Sequence, residues 1–451
     1  MKKTLSMLVA VLLILALLAG CAGDTDVPEA PQDPEPTDEP TPAPPAETGE
    51  PVDIMVMFGK MEVTAEFEEM LRVFNAENTA GITITLLPTA DGQGVAERAR
   101  IQYAAGDPVT LMHLDAGFVA EFEAYIRDLS DQPWISLAMD GVLDFVTRPG
   151  GRVMGLPASV EGFGIVYNRD KVADALGTFD TQSIRTRDQF VDFIHQLEDA
   201  GVDAIITTPS LDWSLGFHLM NKFLATQEEG LDANLAFLNQ LLAGEADLYQ
   251  NERFQNWMEI LDVMLEYNVS ANAPLDPQFD DGVINLADGN VAMWFQGNWI
   301  APPMQAVNPD GNFGFLPVPM SNDPTDFANR RISIDVPQFW VVDQHLSTPE
   351  QQEAALYFLN WMVTSPAGQY HSAIQLGLAP VMHGSAYVPA DSLSIAMVDY
   401  LERGEALPWV ISYFSSGILT ITGGGVQQYA LGLIDAQELA HIIEEAFANL
   451  R

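Results

Sequence analysis

From Val52 onward, short apolar runs take turns with stretches of helical periodicity, and this order constrains the fold more than any single residue does. Val52 to Phe58 reads as a strand. Thr64 opens a helix with Phe67, Leu71 and Phe74 on one face, and Ile82 to Leu86 alternates as the next strand. A second helical stretch and a strand near Val109 to Leu114 follow. Strands separated by helices return parallel to one another, so a mainly parallel sheet flanked by helices is predicted. Further along, Gly150-Gly151 reads as a turn between short strands and Phe163 to Tyr167 as a strand. Arg187 to Ala200 reads as a helix with Phe190, Ile194 and Leu197 inward and Gly201 as its stop. Thr348-Pro349-Glu350 starts a helix that ends before Pro366, and Asp435 with Glu438 gives the last helix a capping-box-like start. Gly423-Gly424-Gly425 reads as a turn. The acidic stretch Asp276 to Gly282 reads as a loop, because Pro277 and Phe279 break calcium-loop spacing.

The N-terminal segment is an address rather than part of that body. Lys2 and Lys3 precede an uncharged apolar run from Met7 to Leu18, too short to span a bilayer, which needs about 20 apolar residues. Leu18-Ala19-Gly20-Cys21 closes it and resembles the lipobox of bacterial lipoproteins, so residues 1–20 are read as a signal peptide and Cys21 as a lipidation site. Residues 21–51 form a tether in which prolines and acidic residues leave almost nothing apolar beyond alanine. Such a segment buries too little surface to offset its ordering entropy. Proline-rich chain extends by roughly 3.1 Å per residue, so the tether reaches up to about 90 Å from a membrane. Cys21 is the only cysteine, which leaves no intramolecular disulfide framework and makes the fold depend on its core.

With 63 acidic against 19 basic residues, the net charge is −44, which argues against nucleic acid and anionic lipid as partners. A P-loop, a dinucleotide-binding glycine fingerprint and a nucleophile elbow are missing, and the histidines show no metal-ligand spacing.

Four segments, in order, resemble the extracellular solute-binding proteins of ABC importers, in the carbohydrate-binding branch that includes maltodextrin-binding proteins. They are Gly155 to Asp170, Leu286 to Trp299, Phe313 through Val342 to Ser365-Pro366, and Gly377 to Pro380. Two places depart from the family pattern: Ile184 to Phe190 replaces its usual T-W-x-E-F, and Ile334-Asp335 replaces a glycine pair. The resemblance implies a two-lobe α/β fold of the type II periplasmic-binding-protein kind, each lobe a mainly parallel sheet flanked by helices, with a ligand cleft between them. The expected lobes are 52–160 with 332–380, and 161–331 with 381–451. It implies a monomer that captures a sugar or oligosaccharide and delivers it to an ABC permease from the outer face of the cytoplasmic membrane, with no cofactor, metal or catalysis.

A sugar presents apolar C–H faces and a rim of hydroxyls, so its cleft calls for aromatic platforms beside carboxylates and amides. The resemblance makes Trp299 the foremost platform. Glu161 matches a polar position at the first crossover, Asp115 follows a strand end and Lys60 follows the first strand. Trp213, Trp340, Trp409 and Tyr413 are further aromatic candidates, and Asp335 occupies the departure from the family. Trp294 is assigned to the core. Other small polar solutes, such as a polyamine or glycerol phosphate, and a surface glycoside hydrolase stay open as alternatives.

Overall fold

Strands run over Val52–Met57 (β1), Ile82–Leu86 (β2), Leu111–Asp115 (β3), Thr147–Arg148 (β4), Arg152–Val153 (β5), Leu156–Pro157 (β6) and Glu161–Asn168 (β7). Those that follow are Asp203–Ile206 (β8), Val291–Gly297 (β9), Phe313–Leu316 (β10), Ile332–Asp335 (β11), Gln338–Val342 (β12) and Ala406–Leu407 (β13). The computed structural model describes residues 51–89, 94–107, 109–414 and 417–449. The signal segment, Cys21 and the tether as far as residue 50 lie outside them.

The first sheet has the order β2-β1-β3-β12-β6. Helix Thr64–Glu77 carries the chain from β1 to β2, and β1 pairs parallel with both β2 and β3. Strand β12 enters antiparallel to β3 and β6. In the second sheet, β7 lies antiparallel to β9 on one side. Its other side is shared end to end by β11, opposite Glu161 to Phe163, and β10, opposite Ile165 to Asn168. Parallel pairing is thus concentrated in β2-β1-β3, with β8 on β9 and β13 on β11 in the second sheet. Long β7, all eight residues buried, is antiparallel to β9, β10 and β11.

Two crossovers link the sheets, from β6 to β7 through Ala158-Ser159-Val160 and from β11 to β12 through Val336-Pro337. The backbone N–H of Ala158 donates to the Gln338 carbonyl at 3.0 Å, and that of Val160 to the Ala379 carbonyl at 3.2 Å, so the two crossovers and the segment around Ala379 lie side by side. Because β11 pairs in the second sheet, the first lobe's second segment opens at Val336-Pro337 and not at residue 332. One apolar core lies around the first sheet, and two lie on the second.

Local signals place the helices. Thr186 accepts from the Gln189 N–H at 3.2 Å and starts Arg187–Asp199, with Phe190, Ile194 and Leu197 buried. Thr348 and Gln351 exchange the two bonds of a capping box at the start of Pro349–Thr364. Asp435 accepts from the Glu438 N–H at 2.9 Å ahead of Ala436–Asn449. Gly150 and Gly151, at φ 87° and 80°, turn the β4–β5 hairpin.

Two readings are corrected. Gly423-Gly424-Gly425 is not a turn but lies inside helix Gly417–Ala430. A Cβ on Gly423 would lie 2.4 Å from the Asp212 Cβ, and one on Gly216 would lie 2.4 Å from the Gly423 Cα. The glycines let this helix pack backbone to backbone against the π-helical turn Ser214–His218. The Asp276 to Gly282 stretch is a loop only as far as Gln278. Helix Phe279–Ala287 follows, with the Asp281 carboxylate accepting from the Gln278 N–H at 2.8 Å.

Candidate functional site

Strand ends bring the polar half of the site together. Lys60 lies three residues past β1, Asp115 ends β3, Glu161 opens β7 and Asp335 ends β11, so all four sit where the lobes meet. Asp335 stands opposite Glu161 in the β11–β7 register, and Gln338 stands opposite Asp115 in β12–β3. The Lys60 ammonium lies 2.5 Å from Glu161 Oε1 and 3.8 Å from Glu62 Oε1, and therefore joins the two lobes. Ser159 Oγ donates to Glu161 Oε1 at 2.8 Å, and Gln338 Nε2 donates to Asp115 Oδ1 at 2.8 Å. Asp335 accepts from the N–H groups of Val336 at 2.9 Å and Trp409 at 3.0 Å, which ties a crossover to the segment after β13.

Lys60 and Glu161 are each only 5% exposed, so their charges interact in a poorly hydrated setting. Burial pushes the Lys60 ammonium down, but Glu161, Glu62 and Asp115 outweigh it and hold the group above the ordinary lysine value. Burial raises the Glu62 carboxyl against the opposing pull of Lys60. Desolvation by the surrounding protein raises Asp115 too, although that residue keeps an exposed edge, against the Gln338 hydrogen bond and Lys60. Asp335 is raised by burial, with its two backbone N–H partners opposing.

The apolar half comes from the second lobe. Trp299 follows β9, and its Nε1 donates to Gln296 Oε1 at 2.9 Å. A Cβ on Gly297 would lie 2.0 Å from the Trp299 ring, so only glycine lets the indole fold back over the strand end. Asn298 Oδ1 accepts from the Gly162 N–H at 2.9 Å and fixes the turn carrying Trp299 to the start of β7. His218 sits among the rings: its centroid is 4.7 Å from Phe163, 5.2 Å from Trp299, 5.3 Å from Trp409 and 5.4 Å from Trp213. Burial, with Lys60 nearby, lowers the His218 imidazole to about 3 and keeps it neutral. Tyr413 meets Phe145 of the first lobe edge to face at 5.0 Å, and a Cβ on Gly117 would lie 2.8 Å from the Phe414 carbonyl oxygen. These contacts join the two lobes along this edge.

Lys60, Asp115, Glu161, Asp335, Trp213, Trp299, Trp409 and Tyr413 are thus brought to one junction. Trp340 is not. It is fully buried in the first-lobe core, 4.6 Å from His113, 5.7 Å from Phe67 and 5.9 Å from Phe58, and serves packing. Trp294 is core, as assigned, with its Nε1 3.3 Å from Thr208 Oγ1. Sequence reasoning missed Glu62, His218, Phe163, Gln296 and Gln338. Gln296 was within reach, since it sits in the same short motif as Trp299. His218 carried no such signal, because a lone histidine in a helical stretch looks like any other.

Three buried polar atoms here have no hydrogen-bond partner in the protein: Gln296 Nε2, Gln338 Oε1 and Trp409 Nε1. Left so, each costs about 1–3 kcal/mol, and a hydroxyl-rich ligand is the kind of group that would satisfy them. Among the described residues, no group of histidine, cysteine and carboxylate side chains is arranged to hold a metal ion. No helix among them is long and apolar enough to cross a membrane.

Two α/β lobes joined by adjacent crossovers, with polar and aromatic walls meeting at the junction, define the class of two-lobed ligand-binding proteins. Residues 64–393, well over half of the chain, match the profile of the bacterial extracellular solute-binding proteins, and the chain belongs to that family. No curated protein matches the sequence significantly. Among solved structures, RafE in complex with raffinose is 19% identical over 88% of this chain and 99% of its own, with a TM-score of 0.70. A sugar transporter from Bacillus licheniformis in complex with stachyose is 17% identical over 89% of this chain and all of its own, with a TM-score of 0.72. Maltose-bound MalE3 of T. maritima is 16% identical over 89% and 100%, with a TM-score of 0.65. At these identities the likeness establishes the fold.

Proposed function

We propose that this solute-binding protein captures a carbohydrate in the cleft between its lobes and hands it to an ABC permease, without catalysing a reaction on it. One observation carries the reading: the aromatic cluster of Trp213, His218, Trp299 and Trp409 adjoins the carboxylates and amides of the lobe junction, with the Trp409 backbone N–H on Asp335 and the Trp299 indole on Gln296. Flat rings suit the C–H faces of a pyranose, and carboxylates and amides suit its hydroxyls. The sugars named with the solved relatives support the same class of ligand. Cys21, acylated, would hold the protein at the outer face of the membrane, and the tether would let the body reach its permease.

Isothermal titration against a panel of neutral oligosaccharides tests the binding, and a reducing-end assay on the same panel tests for hydrolysis. Saturable one-to-one binding with no new reducing ends is expected. Turnover, or a folded protein that binds no saccharide, would sink the reading.

A further inference from the structure

The charges of the junction restrict the ligand further, and this rests on the carbohydrate reading above. Three carboxylates, Glu62, Asp115 and Glu161, surround the single ammonium of Lys60. That ammonium is already engaged by Glu161 at 2.5 Å, with Glu62 at 3.8 Å. A fourth carboxylate, Asp335, stands opposite Glu161 in the neighbouring strand. Lys60 is the only lysine or arginine in any ion pair with these carboxylates among the described residues, and His218 is neutral.

The unpartnered buried atoms point to a ligand with hydroxyls. Gln338, 9% exposed, is bound through its Nε2 to Asp115 and leaves Oε1 without a partner, which invites a donor. Gln296, 1% exposed, is bound through Oε1 to Trp299 and leaves Nε2 without one, which invites an acceptor. A sugar hydroxyl can serve either role, whereas a carboxylate or phosphate group is acceptor only.

We infer that the closed cleft selects neutral or amine-bearing saccharides and rejects anionic ones, such as uronates and sugar phosphates, because its one cation is spent on Glu161 and every other charge is negative. An anionic ligand would have to displace Glu161 from Lys60 and leave that carboxylate buried without its partner. Selectivity of this kind works by an added repulsion and needs no extra attraction.

The test compares chitotriose, deacetylated chitotriose, raffinose, maltotriose and trigalacturonate by calorimetry at low salt, with spermidine and glycerol phosphate as further probes. The expected result is that whichever neutral or amine-bearing sugar binds does so at least tenfold more tightly than trigalacturonate. Glu62→Gln should narrow that ratio severalfold, because it removes one of the repelling charges while the fold is unchanged. Trigalacturonate or glycerol phosphate binding as tightly as the neutral sugars would overturn the inference. If no saccharide binds, the carbohydrate reading falls by itself. In that case spermidine binding without glycerol phosphate binding would still support the charge rule, and the reverse would overturn it.

Discussion

At the scale of residues, Lys60 and Trp299 carry opposite kinds of work. Lys60 offsets carboxylates that burial would otherwise force to take up protons. Removing one partner of a buried pair is costly, about 3–5 kcal/mol, because the remaining charges stay behind unpaired. Lys60→Met should therefore weaken ligand binding at least tenfold at pH 7.5. The loss should shrink as pH falls, since Glu62 and Asp115 are already raised by desolvation and their protonation would relieve the repulsion. A pH-independent deficit in a titration series would contradict this. Trp299→Ala should cost at least tenfold in affinity, about 1.4 kcal/mol, with an unchanged circular dichroism spectrum. Trp340→Ala should act on the fold instead, by roughly 3–5 kcal/mol in chemical denaturation, as expected when a large core aromatic is removed. The contrast between these two tryptophans was only half visible in the sequence. Trp299 stood out by its position after a glycine, whereas Trp340 was one of several further aromatic candidates until β12 placed it between Phe58, Phe67 and His113.

His218 adds a prediction about pH. Its folded value, near 3, lies below the unfolded value of about 6.5, so the folded state takes up a proton less readily than the unfolded one. The stability it contributes is complete above pH 6.5 and is lost as pH falls toward 3. His113, also held low by burial, acts in the same direction, while raised Glu62, Asp115 and Asp335 act in the other. Comparison with His218→Phe isolates the one group: the melting temperature of the variant should gain on wild type as pH falls from 7 to 4. A constant difference across that range would contradict the assignment.

At the scale of elements, the helix-and-strand alternation and the caps were legible because they are local. Thr348 and Asp435 each accept an N–H bond within their own first turn, and no distant residue is needed to recognise them. The glycine run was misread because its reason is not local. Gly423 has an ordinary place in a helix, and what demands it is Asp212, more than two hundred residues away in the chain. The contact matters for the site, since it seats the turn that carries Trp213 and His218. Gly423→Ala should cost about 1–3 kcal/mol by overpacking and should lower ligand affinity as well. Unchanged thermal stability would show that the helix can shift aside. The strand order of the second sheet was likewise hidden, because β7 pairs with β9, β10 and β11, all more than a hundred residues further along the chain, and no local pattern announces such partners.

At the scale of the whole molecule, the lobes meet over groups that are poorly satisfied by protein alone. Opening would rehydrate Gln296, Gln338, Trp409 and the Lys60 cluster, and a bound sugar would let the cleft close over them. Closure of this kind requires a ligand that favours the closed state, since equal affinity for both states shifts nothing. The crossovers are the place for such a hinge, because among the described residues Ala158 to Val160, Val336-Pro337 and the segment near Ala379 run side by side between the lobes. Small-angle X-ray scattering of the protein, titrated with the oligosaccharide that calorimetry selects, tests this most directly. The radius of gyration should fall to a plateau at one equivalent of sugar. Saturable binding with no change in the radius at any point of the titration would contradict capture between closing lobes.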